Sequence, residues 1–102
     1  MTALVSVVIA THNRPHLLAD TVRSALEQDG PVEVVVVDDG PTGSARPVIA
    51  ALSDPRVRYF TNPQPSTGRP AAVRNYGATQ TTGPLLHFLD DDDRVPPGFY
   101  AA

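Results

Sequence analysis

A chain of 102 residues is enough for one domain and no more. Its hydrophobic content of 41% fits a small globular domain, and a net charge of −3, with every basic residue an Arg, argues against nucleic acid or an anionic membrane as partner. The absence of Cys excludes disulfides and thiolate metal sites, and no apolar run approaches the roughly 20 residues of a membrane helix. Residues 4 to 10 are apolar and β-branched, which predicts a first strand. It starts without the basic segment and small-residue cleavage site of a signal peptide, so the expected location is the cytoplasm or the cytoplasmic face of a membrane. Thr11-His12-Asn13-Arg14-Pro15 breaks the strand, with Asn13 as a candidate helix cap and Pro15 in the first turn. A helix over 15–28 follows from Leu18, Val22, Ala25 and Leu26 at i, i+4, i+7, i+8 spacing.

Val32 to Val37 is a nearly continuous β-branched run, the mark of a strand buried on both faces of a parallel sheet. Residues 44–53 suit a second helix weakened by Pro47, and 56–61 a strand near a sheet edge. Pro63, Pro65, Gly68 and Pro70 mark a restricted loop. Ala72, Val73 and Tyr76 predict a third helix over 71–82, ended by Gly83-Pro84, and Leu85 to Leu89 a fourth strand. His87 on that strand is expected to face the sheet interior or a helix. The order β-α-β-α-β-α-β predicts an α/β fold, a Rossmann-like parallel sheet with helices on both faces.

Six of the eleven acidic residues fall in two clusters, Asp38-Asp39 and Asp90 to Asp93, each directly after a strand. Both therefore belong on the carboxyl edge of the sheet, where open α/β folds bind their ligands. Several carboxylates at a strand end make a hard-oxygen site suited to Mg2+ or Mn2+, able to bridge a diphosphate. The rival reading is a solvated acidic turn capping the next helix. Asp38-Asp39-Gly40 is either a site for ribose or base hydrogen bonds or a plain Asp-Gly turn. Thr11, Asn13 and Arg14 either meet a nucleotide or cap a helix, and Arg69 and Arg74 either neutralise phosphate or pair with carboxylates. His12 and His16 are four apart, but His12 precedes the expected cap, so no His metal site is predicted.

These segments resemble family 2 glycosyltransferases. Val5 to Arg14 is similar to the family's opening strand and loop, and Val34 to Gly40 to its second strand and nucleotide-contacting acidic pair. Gly68 with Ala72 to Gly77 resembles the segment leading into the third helix, and Gly83 to Asp93 the strand that delivers the DXD motif. The resemblance implies the nucleotide-binding half of a GT-A fold. It implies a nucleoside diphosphate sugar as partner, a UDP-sugar favoured, and inverting transfer to an acceptor hydroxyl. The loop at Thr11 and Asp39 would meet the nucleoside, Asp90 or Asp91 the ribose or metal, and Asp92 would be the main metal ligand.

Ala10 stands where the family usually has Pro, and Pro41-Thr42-Gly43 where it has Ser and then an acid. The family's acceptor half and its catalytic base normally lie beyond the DXD, and nothing here matches them. The resemblance thus implies a chain that binds donor and metal but transfers sugar poorly alone, and whose uncovered face favours self-association. The alternatives are a non-catalytic nucleotide-binding fragment, a phospho-receiver, which needs a Lys, and a dinucleotide-binding domain, which needs G-x-G-x-x-G after the first strand. The last two lack their required residues.

Overall fold

The computed structural model describes residues 4–12, 16–40, 43–62 and 70–101. The elements run β1 (Val5–Thr11), α1 (Leu18–Leu26), β2 (Val32–Asp38), α2 (Arg46–Leu52), β3 (Val57–Thr61), α3 (Pro70–Thr79) and β4 (Leu85–Asp90), then a 3-10 turn over Phe99–Ala101. All four strands are parallel, in the order β3-β2-β1-β4. The chain steps outward from β1 through β2 to β3, then returns to the other side of β1 as β4. The strand order therefore reverses at β1, which puts the topological switch point at the carboxyl ends of β1 and β4.

Period-two alternation divides the core between the two faces. Val5, Val7 and Ile9 of β1 and Val34 and Val36 of β2 pack with Leu18, Val22 and Ala25 of α1 and Ile49 of α2. Val35 and Val37 face the other way, against Val73 and Tyr76 of α3. Helices cover both faces, so the central strands are apolar at nearly every position.

Helix α1 begins three residues later than the spacing predicts. Its cap is Leu17, without a side-chain cap bond. Asn13 and Pro15 lie outside the described residues. The helix starts where burial starts: His16 and Leu17 are exposed, whereas Leu18, Thr21, Val22 and Ala25 are buried. Packing of that face, more than the cap, offsets the cost of nucleation. Pro47 does not weaken α2, because it lies in the first turn, where the missing N–H has no helical partner to lose. Ser53 ends that helix in a left-handed conformation.

On α3 the buried face runs through Val73 and Gly77, with Tyr76 half-buried, while Ala72 is exposed. Gly77 lets the helix sit close to the sheet. A Cβ there would overlap Val8 Cγ1 and come within 3.1 Å of Val37 Cγ2, both fully buried. As predicted, β3 is an edge strand; β4 is the other edge among the described residues. Leu85, Leu86 and Phe88 are consequently exposed. His87 stacks on Phe99 and hydrogen-bonds the Tyr100 hydroxyl at 2.6 Å. Its neighbour is thus the 3-10 turn, not a helix. Gln28 ties the same segment to α1, donating to the Pro96 carbonyl at 2.8 Å and accepting from Tyr100 N–H at 3.2 Å.

At the opposite end of the sheet, Glu33 of β2 collects the loop before β4. It accepts from Ser6 Oγ at 2.6 Å, Thr82 N–H at 2.8 Å, Thr82 Oγ1 at 2.7 Å, Gly83 N–H at 2.9 Å and Arg58 at 2.9 Å. Burial raises its pKa, but the hydrogen bonds from Ser6, Thr82 and Arg58 outweigh that and lower it from 4.5 to about 2. A depressed carboxylate contributes stability that is complete above its unfolded pKa and disappears as protons bind the native state. Thermal melts should therefore show a Glu33-dependent loss of Tm between about pH 4.5 and about pH 2. Glu33→Gln should remove that pH dependence and cost about 1–3 kcal/mol at neutral pH.

Candidate functional site

Strand pairing brings the two acidic clusters to one edge. Thr11 at the end of β1 is level with Asp38, and Ala10 is level with Asp90. β1 is the shared neighbour of both clusters, so its last residues form the floor between them.

Within the first cluster the two carboxylates point to different tasks. Asp38 is 1% exposed. Its Oδ1 accepts Gly40 N–H at 2.9 Å, and its Oδ2 accepts the Tyr59 hydroxyl at 2.7 Å and Ala45 N–H at 3.3 Å. It therefore holds the loop between β2 and α2. Burial, followed by the hydrogen bond to Asp38, pushes the Tyr59 hydroxyl up to about 12, so it remains a donor across ordinary pH. Arg46 lies over the same ring at 4.9 Å.

Asp39 begins the loop at the edge itself. Its N–H donates to the Thr11 carbonyl at 2.8 Å. Its Oδ1 accepts from Asn62 Nδ2 at 2.8 Å, and its Oδ2 lies 3.8 Å from His12 Nδ1. Asn62 directly follows β3, and its own N–H donates to the Asp38 carbonyl at 3.0 Å. The sequence reading missed Asn62 and Tyr59. The signal for Asn62 was its position, the first residue past a strand in a sheet whose carboxyl edge carries the other polar groups.

Unlike the first, whose two carboxylates are both buried, the second cluster splits into one buried and three exposed carboxylates. Asp91 is 1% exposed, and its Oδ2 accepts Thr11 Oγ1 at 2.9 Å. Thr21 of α1 donates to the Asp91 carbonyl at 3.0 Å. Asp90, Asp92 and Asp93 are exposed, and one carboxylate oxygen from each lies within 4.8 Å of the others. The turn closes with Asp93 N–H donating to the Asp90 carbonyl at 3.1 Å. Arg74 of α3 pairs with Asp90 at 2.8 Å.

Of the residues singled out in the sequence, the structure brings together Thr11, Asp38, Asp39, Arg74, Asp90, Asp91 and Asp92. Thr11, Asp38, Asp39 and Asp91 are buried, and Asp90 and Asp92 are exposed. Asn13, Arg14 and Arg69 lie outside the described residues. The donor set of Asp90, Asp92 and Asp93 fits a hard divalent cation: oxygen ligands only, exposed, with room for waters and phosphate oxygens to complete the coordination.

The chain resembles known proteins along nearly its whole length. It is 35% identical over 96 residues to the GalNAc(5)-diNAcBac-PP-undecaprenol beta-1,3-glucosyltransferase of Campylobacter jejuni, covering 91% of this chain and 31% of that protein. The mannosyltransferase PcManGT from Pyrobaculum calidifontis, solved in complex with GDP-Man and Mn2+, superposes with a TM-score of 0.80 at 25% identity, covering 94% of this chain and 29% of that one. TarS 1-349 of S. aureus, in complex with UDP-GlcNAc, superposes with a TM-score of 0.76 at 26% identity, covering 99% of this chain and 29% of that one. The chain thus spans under a third of the length of these relatives. The Glycosyl transferase family 2 model matches residues 6–101, a stretch that takes in all four strands but for Val5 and both acidic clusters. The chain therefore belongs to glycosyl transferase family 2, and its sheet is the Rossmann-like nucleotide-binding part of a GT-A fold.

Proposed function

We propose that this chain binds a nucleoside diphosphate sugar across the carboxyl edge of its sheet, a UDP-sugar being favoured. It would hold Mn2+ or Mg2+ on Asp90 and Asp92, for inverting transfer of the sugar to an acceptor hydroxyl. The observation that carries this reading is the convergence of the Asp90, Asp92 and Asp93 carboxylates on the same strand-end edge as Asp39. Asp39, oriented by Asn62, would contact the nucleoside, and Asn13 and Arg14 would add further contacts to it. Asp38 and Asp91 serve from behind, by shaping the loops that carry their neighbours. Arg74 and Arg69 would neutralise the diphosphate. When bound, the cation supplies neutralisation of the charge that develops on the departing diphosphate.

No residue of this chain is assigned as the base that takes the acceptor proton, a contribution of about 10²- to 10⁴-fold in such reactions. The chain alone is accordingly expected to bind donor without robust transfer. The exposed Leu85, Leu86 and Phe88 on the β4 edge favour its self-association. No described helix is long and apolar enough to cross a membrane, and the proposed location is the cytoplasm or the cytoplasmic face of a membrane.

Calorimetric titration of UDP and of GDP, each with and without Mn2+, tests the reading. Binding of UDP that strengthens with Mn2+ is the expected result. Tighter binding of GDP would move the assignment to a GDP-sugar, as in the Pyrobaculum complex. No binding of either nucleotide, with or without metal, would remove it.

A further inference from the structure

We propose that Thr11 is a positioning residue whose hydroxyl, acting through the Asp91 carboxylate, holds Asp90, Asp92 and Asp93 in the arrangement a divalent cation needs. This rests on the metal site proposed above and deepens it. Thr11 stands between the two clusters, level with Asp38 on one side and one residue past the partner of Asp90 on the other. Its carbonyl takes the Asp39 N–H at 2.8 Å, and its hydroxyl donates to Asp91 at 2.9 Å. From α1, Thr21 grips the Asp91 carbonyl at 3.0 Å. Thr11, Thr21 and Asp91 are all buried, at 3%, 1% and 1% exposure.

Asp91 is therefore held by side chain and main chain at once, from two elements that are themselves packed in the core. Its chain neighbours inherit that fixed backbone. Three carboxylates within 4.8 Å repel one another. A turn without the tether would relax by spreading them, and a cation would then have to draw them together. A tethered turn keeps them converged beforehand, and preorganisation of this kind appears as affinity. The Thr11 hydroxyl is turned into the protein toward Asp91, so it acts on the cluster from behind.

The test measures Mn2+ alone, by the loss of its free electron paramagnetic resonance signal, and UDP alone, by calorimetry. Both are run on the chain and on Thr11→Val and Thr11→Ser. Thr11→Val should weaken Mn2+ about 10- to 100-fold, the usual range for a residue that orients a metal ligand. Metal-free UDP binding should not change, and Thr11→Ser should restore Mn2+ affinity. Circular dichroism establishes that each variant is folded. If Thr11→Val does not fold, Thr21→Val, which releases the Asp91 carbonyl and the Leu17 carbonyl at the start of α1, should weaken Mn2+ in the same sense, with Thr21→Ser as its rescue. A folded valine variant that binds Mn2+ as tightly as the parent overturns the inference and leaves the metal site standing. Equal losses of UDP and Mn2+ that serine does not restore also overturn it. A parent chain that takes up no Mn2+, either alone or with UDP, removes the metal site itself, and this inference with it.

Discussion

Asp92→Ala should abolish the Mn2+-dependent part of UDP binding while leaving metal-free binding intact or slightly tighter. Asp92 is exposed, and its oxygen sits within 4.8 Å of those of Asp90 and Asp93. Mg2+ and Mn2+ rely on only one or two protein carboxylates, so loss of one removes much of the direct coordination. Residues that merely orient ligands cost 10–100-fold in metal affinity, so a ligand itself should cost at least about 100-fold. The metal-free arm has the opposite sign for a simple reason. A diphosphate approaching this edge meets three carboxylates, and removing one lessens the repulsion.

Asp90→Ala should behave differently, because it also frees Arg74 from its 2.8 Å ion pair. Both groups are well exposed, so the pair itself adds little to stability. The released guanidinium becomes available to phosphate, and part of the lost affinity should return. Calorimetry on the two variants side by side measures both effects. Equal metal-dependent binding by Asp92→Ala and the parent would take Asp92 out of the site.

Asp38→Ala should lower stability by about 3 kcal/mol or more, which for a domain of this size is a Tm drop of roughly 12–24 °C. Asp38 is among the most buried polar residues of the chain, and its carboxylate is the acceptor for Tyr59, Gly40 and Ala45. Truncation leaves a hydroxyl and two backbone N–H groups facing an apolar methyl. Each unsatisfied buried group costs about 1–3 kcal/mol, against a total stability of about 5–15 kcal/mol for a typical domain. Tyr59→Phe removes one donor and leaves the other two, so about 1 kcal/mol is expected. The double variant should cost less than the sum, because both changes break the same bond.

The pH arm follows from Tyr59. Its pKa is raised from 10.0 to about 12, so the contribution is complete below pH 10 and is lost as pH rises toward 12. Thermal melts of the three variants check all of this. A melt of Asp38→Ala within a degree or two of the parent would show that the loop after β2 does not depend on this carboxylate.

The identity and order of the elements could be read from the amino acids because burial writes its period into sequence. The valine run of β2 signals a strand covered on both faces, and α1 and α3 do pack on opposite sides of it. Helix ends were less legible. Leu18 begins α1 because the sheet covers its face from that residue onward, which no cap signal in the sequence reports. Gly77 was invisible to a search for apolar spacing, since its contribution is the side chain it lacks.

By itself, the sequence determined a parallel α/β sheet and the placing of two acidic clusters on one edge, because both follow from strand assignments and chain direction. It could not assign roles within Asp38-Asp39 or within four consecutive aspartates. Identical side chains carry no pattern, and which ones turn inward is set by the backbone path of the turn and by the partners waiting behind it. Only the tertiary structure decided that Asp38 meets Tyr59 and Asp91 meets Thr11, while Asp90, Asp92 and Asp93 remain outside. Those partners lie 21 and 80 residues away in the chain, and the parallel sheet brings them together.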